Sequence, residues 1–586
     1  MQPLAAESRP AMFSTLITSA WSTVQRSVLD TTSAICKTPL CNIAEVAVVS
    51  LLKNITHGCL VIHTPSRTYT FPSPSDTRTT GEHSLKGSLK AELTVCSPVF
   101  WLRLCATGDL GFSEAYMYGE VDCDYLINVF SVFLANRDCL SAIDTPLARL
   151  LRVPQRFAAA RLANSVANAR NNISAHYDIS NDMFQGFLSK DMTYSCAIFP
   201  DLDGDLCPTV DSPRFIYDTT PDPSDIAPTL GPSGALPSPP ISPDPNSDTD
   251  TGVSMPSTLA ELADQNQIYI QPDVHGGTSV PASANTPPRG ATAQMNEDAL
   301  HAAQMCKLRH IVRKADIRPG HRVLEIGSGW CALAIHIASS VPGTTVDTIT
   351  LSVQQAALAR ERVRAVGLGP SGNEDEGEEG RVRVHLMDYR SMPAGWEGAF
   401  DRVVSVEMVE NVGQEYLETY WAKIDWALRK DTGVGVVQSI TIPEARFDAY
   451  TRDTDFIRKW VLFPGGLLPS FTLLIETLTR GTCGRLVVDS VSNIGPHYAR
   501  TLREWRLRFE AHFEDVVVPA LKREHPRMVG ADADDAGVRE EIEVFRRKWL
   551  YYFCYCEVGF TARILGDHII TFTREGNVEY RYQVFA

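Results

Sequence analysis

No stretch of this 586-residue chain reaches the roughly 18 uninterrupted apolar residues that a membrane-crossing helix needs. The nearest approach, Ile43 to Leu52, is too short and stops at Lys53. Positive charge is also scarce. Against 70 acids stand 54 lysines and arginines, a formal net charge of -16. Phosphate binding needs a basic surface, so nucleic acid is not an expected partner. The 14 cysteines are scattered, with no CxxC and no histidine pair at zinc spacing. That pattern fits a reducing compartment and argues against a structural metal. No internal repeat of fixed period is visible.

What is present reads as a soluble globular protein, with 44% hydrophobic and 21% charged residues. At ~150 residues per domain the length implies two to four units. From Pro200 to about Gly290 the composition turns to proline, serine and aspartate, as in GPSGALPSPPISPDPNSDTD. Such a stretch buries too little surface to offset its ordering entropy, and it reads as a disordered insertion, 200–292. A shorter acidic loop runs from Pro370 to Gly380. Residues 1–40 are rich in Ser, Thr and Ala and read as a flexible N-terminus. They faintly suggest a mitochondrial leader, against which Glu7, Asp30 and the shortage of arginine weigh.

Leu51 to Pro98 alternates short β-like runs (CLVIHT, RTYTFP, AELTVC) with turn residues. Phe112 to Leu134 then places aromatic side chains at helical spacing, which fits a packed core better than a lipid-lining wall. After the insertion the periodicity alternates. Met305, Leu308, Ile311 and Val312 share a helical face, VLEI is a strand, CALAIHIA a helix, TTVDTIT a strand and Val353 to Val366 a helix. RVRVHLMD, DRVVSVE and GVGVVQSITI read as further strands, with Glu415 to Arg429 a helix between the last two. Strands alternating with helices predict an α/β fold over residues 293–445, with a mainly parallel sheet covered on both faces.

In such a sheet, ligand binds beyond the carboxyl ends of the strands. Val323 to Trp330 (VLEIGSGW) ends a β-branched run in two glycines with an acid just ahead, a turn suited to a nucleotide-like ligand. Four strand ends converge on one crevice: Glu325 with Gly327, Ser328, Gly329 and Trp330; the TLSVQQ turn with Thr350, Leu351, Ser352 and Gln355; Asp388 and Tyr389; and Glu407 to Glu410. Hydroxyls and amides after the second strand suit a ribose and a methionine-like polar end, and Asp388 with Tyr389 suits an adenine. A nicotinamide enzyme would want a third glycine and an acid ending the second strand. Cys331 stands where that glycine would be, and Asp347 lies in mid-strand. The balance falls toward S-adenosylmethionine, a sulfonium carrier without a pyrophosphate.

Several blocks together resemble the cyclopropane-fatty-acyl-phospholipid synthase family, relatives of the mycolic acid cyclopropane synthases. They are Ala175 to Phe199, Leu300 to Ala338, TLSVQQ, Phe400 to Gly413 (FDRVVSVEMVENVG), Phe463 to Ser470, Asn493 to Phe509 and Trp549 to Phe560. Gly108 to Glu120 looks like the small lipid-carrier-like domain that precedes the catalytic part in many members. The resemblance implies a Rossmann-like S-adenosylmethionine methyltransferase fold with a helical lid. The expected division is a lipid-carrier-like domain at 41–150, a helical part at 151–199, and a catalytic domain at 293–586.

The implied reaction delivers the sulfonium methyl to a cis double bond of a phospholipid acyl chain, through a carbocation that loses a proton as a three-membered ring closes. In the resembling enzymes a bound bicarbonate ion takes that proton. Carried across, its cage is Cys196, Glu410, Ile440 and Tyr498, with Gln438 as a further donor and Cys556 as a secondary candidate. Tyr194 and Ser195 would border the cofactor. Many members carry histidines where this chain has Asn411 and Gln438. C-methylation of acyl chains or sphingoid bases without ring closure, and a non-catalytic lipid-binding homologue, remain open alternatives. The expected location is cytoplasmic and peripheral at a membrane surface, with Arg500, Arg503, Arg506, Arg508, Arg546, Arg547 and Lys548 as candidates for anionic headgroups, and a homodimer is left open.

Overall fold

Two sheets organise the chain, and their strand order fixes where the ligand-binding turns collect. The computed structural model describes residues 34–72, 89–140, 181–204, 291–370, 380–452, 455–461, 466–524 and 536–580. Most of the expected flexible N-terminus, nearly all of the 200–292 insertion, the body of the acidic loop, and the blocks 175–180 and 463–465 lie outside the described residues.

The first sheet follows the helix Ala34–Leu52, which begins inside the stretch expected to be flexible. Its strands are β1 (Cys59–His63), β2 (Thr68–Phe71), β3 (Lys90–Val95) and β4 (Val121–Asp122), in the order β2-β1-β3-β4. Along β3, Ala91, Leu93 and Val95 are buried while Lys90, Glu92 and Thr94 are not, the period-two pattern of a sheet covered on one face. The helical spacing from Phe112 to Leu134 falls on two helices, Asp109–Met117 and Leu126–Ala135, with β4 between them. Gly119, at φ +70°, supplies the left-handed residue that turns the chain out of the first helix.

The aromatic stripe on these helices is core. Phe112, Tyr116 and Phe130 place their rings 6.3, 6.0 and 5.0 Å from Tyr551, which sits in the C-terminal helix Ala536–Thr561. A buried ion cluster reinforces the same seam. Arg103 pairs with Glu114 and Glu120, and Lys459 reaches Glu114 at 2.5 Å.

The second sheet is the α/β body. Its strands are β5 (Arg322–Ile326), β6 (Thr345–Thr350), β7 (Val382–Leu386), β8 (Arg402–Val406), β9 (Val434–Thr441), β10 (Leu486–Asn493) and β11 (Gly566–Arg574). Their order is β10-β11-β9-β8-β5-β6-β7. β5 to β9 are mutually parallel, and β11 runs antiparallel to both its neighbours, β9 and β10. The fold is therefore the expected Rossmann-like α/β class, and the sheet extends beyond residue 445 by two strands. From β5 the chain winds outward through β6 and β7, then returns to β8 on the other side. The crevice of a doubly wound sheet opens at that reversal, beyond the carboxyl ends of β5 and β8. Val323, Leu324, Val403, Val404, Val434 and Val436 are fully buried, so these strands hold their ends rigidly.

Asp347, weighed as a ribose-binding acid, is a structural residue. It lies inside β6, where Arg383 grips its carboxylate at 2.7 and 2.8 Å, Arg322 at 3.0 Å and His385 at 2.9 Å. Burial favours its neutral form, but the hydrogen bonds and charges of these partners outweigh that and hold its carboxyl well below the usual range.

Candidate functional site

The glycine turn forms the floor of a cleft whose wall includes Tyr194, Ser195, Glu325, Gly327, Ser328, Gly329, Trp330, Thr350, Leu351, Gln355, Tyr389, Glu407, Met408 and Asn411. Gly327 adopts φ +98°, and a Cβ there would meet Met408 at 3.1 Å, so only glycine leaves this cradle open. Cys331 adopts φ +65° at the start of the helix Ala332–Ser340. The third turn position thus keeps a glycine-like backbone although its residue is a cysteine, and its buried thiol packs into the core.

Two expected cofactor residues do not line the cleft. Ser352 caps the helix Val353–Ala365, its hydroxyl accepting the Gln355 amide at 3.2 Å. Asp388 accepts the Arg390 amide at 2.8 Å and the Arg390 guanidinium at 2.6 Å. Each polar group is hydrogen-bonded within its own turn. Gln355 does line the cleft, and its amide oxygen accepts the Thr350 hydroxyl at 2.9 Å.

The donor set fits S-adenosylmethionine. The cradle at Gly327 takes close backbone approach, Glu325 offers a buried carboxyl at the end of β5, and the buried Tyr389 hydroxyl has no hydrogen-bond partner among the described residues. Glu325 accepts the Thr348 hydroxyl at 2.5 Å, and burial pushes its carboxyl up to about 8. The unfolded chain releases this proton near 4.5. The stabilising contribution is therefore complete below about pH 4.5 and is lost as pH rises through about 8. Glu325→Gln removes that ionisation, so the melting temperature of the ligand-free variant should fall less between about pH 5 and pH 8 than that of the parent.

The segment 181–200 roofs the cleft. Trp330 Nε1 donates to Asn181 Oδ1 at 2.7 Å, and Arg362 binds the carbonyls of Trp330 and Asp191 at 2.8 and 2.9 Å. Ser195 is fixed twice: Gln304 donates to its carbonyl at 2.8 Å, and the fully buried Lys307 donates to its hydroxyl at 2.7 Å. This places Tyr194 against Trp505, with ring centroids 5.1 Å apart, and its hydroxyl 3.0 Å from that of Tyr552. Tyr498 stacks on Phe560 at 4.5 Å.

At the end of β8 these elements meet on one carboxylate. Glu407 accepts the Cys196 amide at 2.8 Å, the Gln438 side-chain amide at 2.8 Å and the Tyr498 hydroxyl at 2.6 Å. Gln438 also donates to Asp567, on β11, at 2.8 Å. Glu410, three residues on, accepts the Ile440 amide at 2.5 Å. Burial, then the Glu407 charge, push the Glu410 carboxyl up to about 8. Burial, then the Glu407 and Glu410 charges, push Asp567 far above the usual carboxylate range. Glu407 is raised by burial too, but the Tyr498 and Cys196 hydrogen bonds and Lys307 oppose the rise. Burial thus raises all three carboxyls, and Glu407 is the one that gathers three hydrogen-bond donors.

The residues expected around a bicarbonate ion thus converge, but their donors are already engaged. Cys196, Tyr498 and Gln438 meet at Glu407, and Ile440 meets Glu410. The unpartnered buried atoms here are oxygens: Glu410 Oε2, Gln438 Oε1 and Asp567 Oδ1. The three donors already filled by the Glu407 carboxylate are not open to a further anion.

Cys556 stands apart from the expected centre. It does not line the cleft, and burial raises its thiol far above the usual range, which disfavours the thiolate form. The Cys196 thiol is likewise held neutral by burial, and its part in the site is its backbone amide. Most of the expected headgroup-binding basic residues are engaged inside the protein. Arg503 and Arg506 face Glu557, Arg508 faces Glu504, Arg547 binds Asp122, and Arg500 binds the Asp201 carbonyl. Among the described residues, no helix is long and apolar enough to cross a membrane.

Lys307 and Asp567 were not picked out from sequence. Lys307 is a lone lysine beside the Leu308–Ile311 apolar face, a weak signal of burial, and Asp567 reaches the site only because β11 inserts beside β9.

The family description "Mycolic acid cyclopropane synthetase" matches residues 164–209 and 290–528. The chain is 31% identical to tuberculostearic acid methyltransferase UfaA1 of Mycobacterium tuberculosis, over 81% of each chain. It is 25% identical to cyclopropane-fatty-acyl-phospholipid synthase of Escherichia coli, over 84% of this chain and 90% of that one. The solved cyclopropane synthase MmaA2 of Mycobacterium tuberculosis covers 69% of this chain and 98% of its own at 19% identity, with a TM-score of 0.41. With its glycine crevice and these relatives, the chain belongs to the cyclopropane-fatty-acyl-phospholipid and mycolic acid cyclopropane synthase family of S-adenosylmethionine-dependent lipid-modifying methyltransferases.

Proposed function

We propose that this enzyme adds one carbon from S-adenosylmethionine to a cis double bond of a phospholipid acyl chain and closes it to a cyclopropane ring. When bound, the cofactor supplies an electrophilic sulfonium methyl. The single observation that carries this reading is the composition of the site beside the glycine cleft. A carboxylate poised to accept a proton, Glu407, accepts the Tyr498 hydroxyl, and Tyr498 belongs to an aromatic cluster with Trp505, Phe560, Tyr194 and Tyr552. Aromatic faces stabilise a carbocation without adding to it, and burial keeps water from trapping it. Tyr194 and Ser195 border the cofactor, and Glu325, Gly327 and Tyr389 would hold it.

A second reading is C-methylation without ring closure, favoured by the 31% identity to a tuberculostearic acid methyltransferase. Both outcomes need the same base, because the added methyl group gives up the proton in either case. Methyl-labelled S-adenosylmethionine, incubated with vesicles of monounsaturated phosphatidylethanolamine or phosphatidylglycerol, should yield labelled acyl chains heavier by one CH2 unit. Upfield cyclopropyl protons in the product would establish the ring, and their absence from a labelled product would select the second reading. An unlabelled lipid fraction would count against both.

A further inference from the structure

We propose that the Glu407 carboxylate is itself the base that collects the proton from the transferred carbon, standing in the chain where the resembling enzymes hold a bicarbonate ion. This inference rests on the reading of the site as one that transfers carbon to an olefin. The three donors that meet on Glu407 come from three separate elements: the Cys196 amide from the roof segment, Gln438 from β9 and Tyr498 from the helix Gly495–Ala511. Together they form an anion cage, and the anion inside it is a side chain of the protein.

The backbone supports the same assignment. Glu407 is not a glycine, yet it adopts φ +48°, a conformation that L side chains take at a cost and that is retained where the surroundings impose it. Its amide is held by the Gln438 carbonyl at 2.9 Å, so the turn is fixed as the side chain swings into the cage. Glu407 also lines the cofactor cleft, whereas Glu410 does not. A mobile anion would have to displace a covalently tethered carboxylate from all three donors.

The step balances with the groups present. The olefin π pair forms a bond to the sulfonium methyl carbon, and the carbon–sulfur pair returns to sulfur, giving S-adenosylhomocysteine and a carbocation on the acyl chain. Glu407 takes a proton from the added methyl, and the released C–H pair closes the ring. If a hydride first shifts to the cation, the same pair forms an exocyclic double bond. Glu407, now a carboxylic acid, loses its proton through the open cleft that it lines.

The test uses the full-length enzyme loaded with S-adenosylhomocysteine, titrated with 13C-bicarbonate and followed by NMR, beside turnover in carbonate-free buffer with and without added bicarbonate. The parent is expected to show no saturable bicarbonate binding and an unchanged rate when bicarbonate is removed. Glu407→Gln, which keeps shape but cannot take the proton, should retain S-adenosylhomocysteine affinity within about threefold and lose at least about 100-fold in turnover. Glu407→Gly relieves the positive φ and empties the cage, so it should bind bicarbonate and regain rate with it. Saturable bicarbonate binding by the parent, with turnover lost on its removal, would overturn the proposal, as would near-normal turnover in Glu407→Gln. A parent that transfers no carbon to any unsaturated lipid would instead refute the proposed function. The binding titration needs no turnover and would still decide whether Glu407 fills the anion site.

Discussion

Gly327→Val should reduce affinity for S-adenosylmethionine by about 100-fold or more, close to 3 kcal/mol, while leaving the protein folded. Gly327 turns the chain at φ +98°, outside the regions open to a β-branched residue. A side chain there would also collide with Met408, whose Cβ and Cγ both lie 3.1 Å from the position of the missing Cβ. Met408 follows Glu407, so relief of the clash would push the β8 turn outward and disturb the carboxylate centre together with the cofactor cradle. Calorimetric titration with S-adenosylhomocysteine measures the first effect. Circular dichroism and melting temperature establish that the fold survives. Gly329→Ala is the contrasting variant. It meets nothing within 4 Å and adopts φ +47°, so its cost is only that of the backbone conformation and its loss of affinity should be much smaller.

The largest loss of stability is expected from Asp425→Ala. Asp425 lies in the helix Leu417–Ala427 and holds two arginines from the β10–β11 edge of the sheet. Arg485 binds its carboxylate at 2.6 and 3.1 Å, and Arg574, at the end of β11, reaches it through a buried ion pair. The Arg574 side chain is only 4% exposed. Burial opposes the Asp425 charge, but these two arginines hold its carboxyl below the usual range. Removing the carboxylate leaves Arg574 charged and buried with only the carbonyls of Asp425, Leu428 and Arg429 around it. The expected cost is about 3–5 kcal/mol. Denaturant titration of parent and variant at neutral pH reads it directly. Asp425→Asn, which keeps the shape and one acceptor, should lose less.

Much of the α/β body was legible because parallel strands buried on both faces read as continuous β-branched runs, as in β8 (RVVSV) and β9 (VGVVQSIT), while the edge strand β7 (VRVHL) alternates. The glycine turn was legible for a local reason, since positive φ leaves a glycine signature. Cys331 shows the limit of that signal, for it holds the same backbone at φ +65° without being a glycine. The helical character of Phe112 to Leu134 was legible, but its division was not, because β4 is only two residues long and Gly119 breaks the helix inside an apolar period. Asp388 and Ser352 carried the right chemistry at the right strand ends, but local hydrogen bonds to Arg390 and Gln355 claimed them.

The proposed catalytic centre was half legible. Cys196, Gln438 and Tyr498 were selected as donors to an anion, and the structure brings their donor groups to one point. Which anion sits there was not legible, because Glu407 and Glu410 are equivalent as neighbours in sequence. Only the left-handed turn at Glu407 decides that its carboxylate enters the cage, while the 3-10 turn that follows sends Glu410 to the Ile440 amide. Asp567 was invisible for a topological reason. An antiparallel strand arriving from the end of the chain cannot be placed beside β9 from local pattern alone.

The most direct test of the account is lipid mass spectrometry of a bacterial host that makes only monounsaturated acyl chains, lacks any such transferase of its own, and expresses either the parent or Gly327→Val. Acyl chains one CH2 unit heavier than the host's olefins are expected with the parent, and none with the variant. An unchanged lipid profile from a folded parent that binds S-adenosylhomocysteine would contradict it.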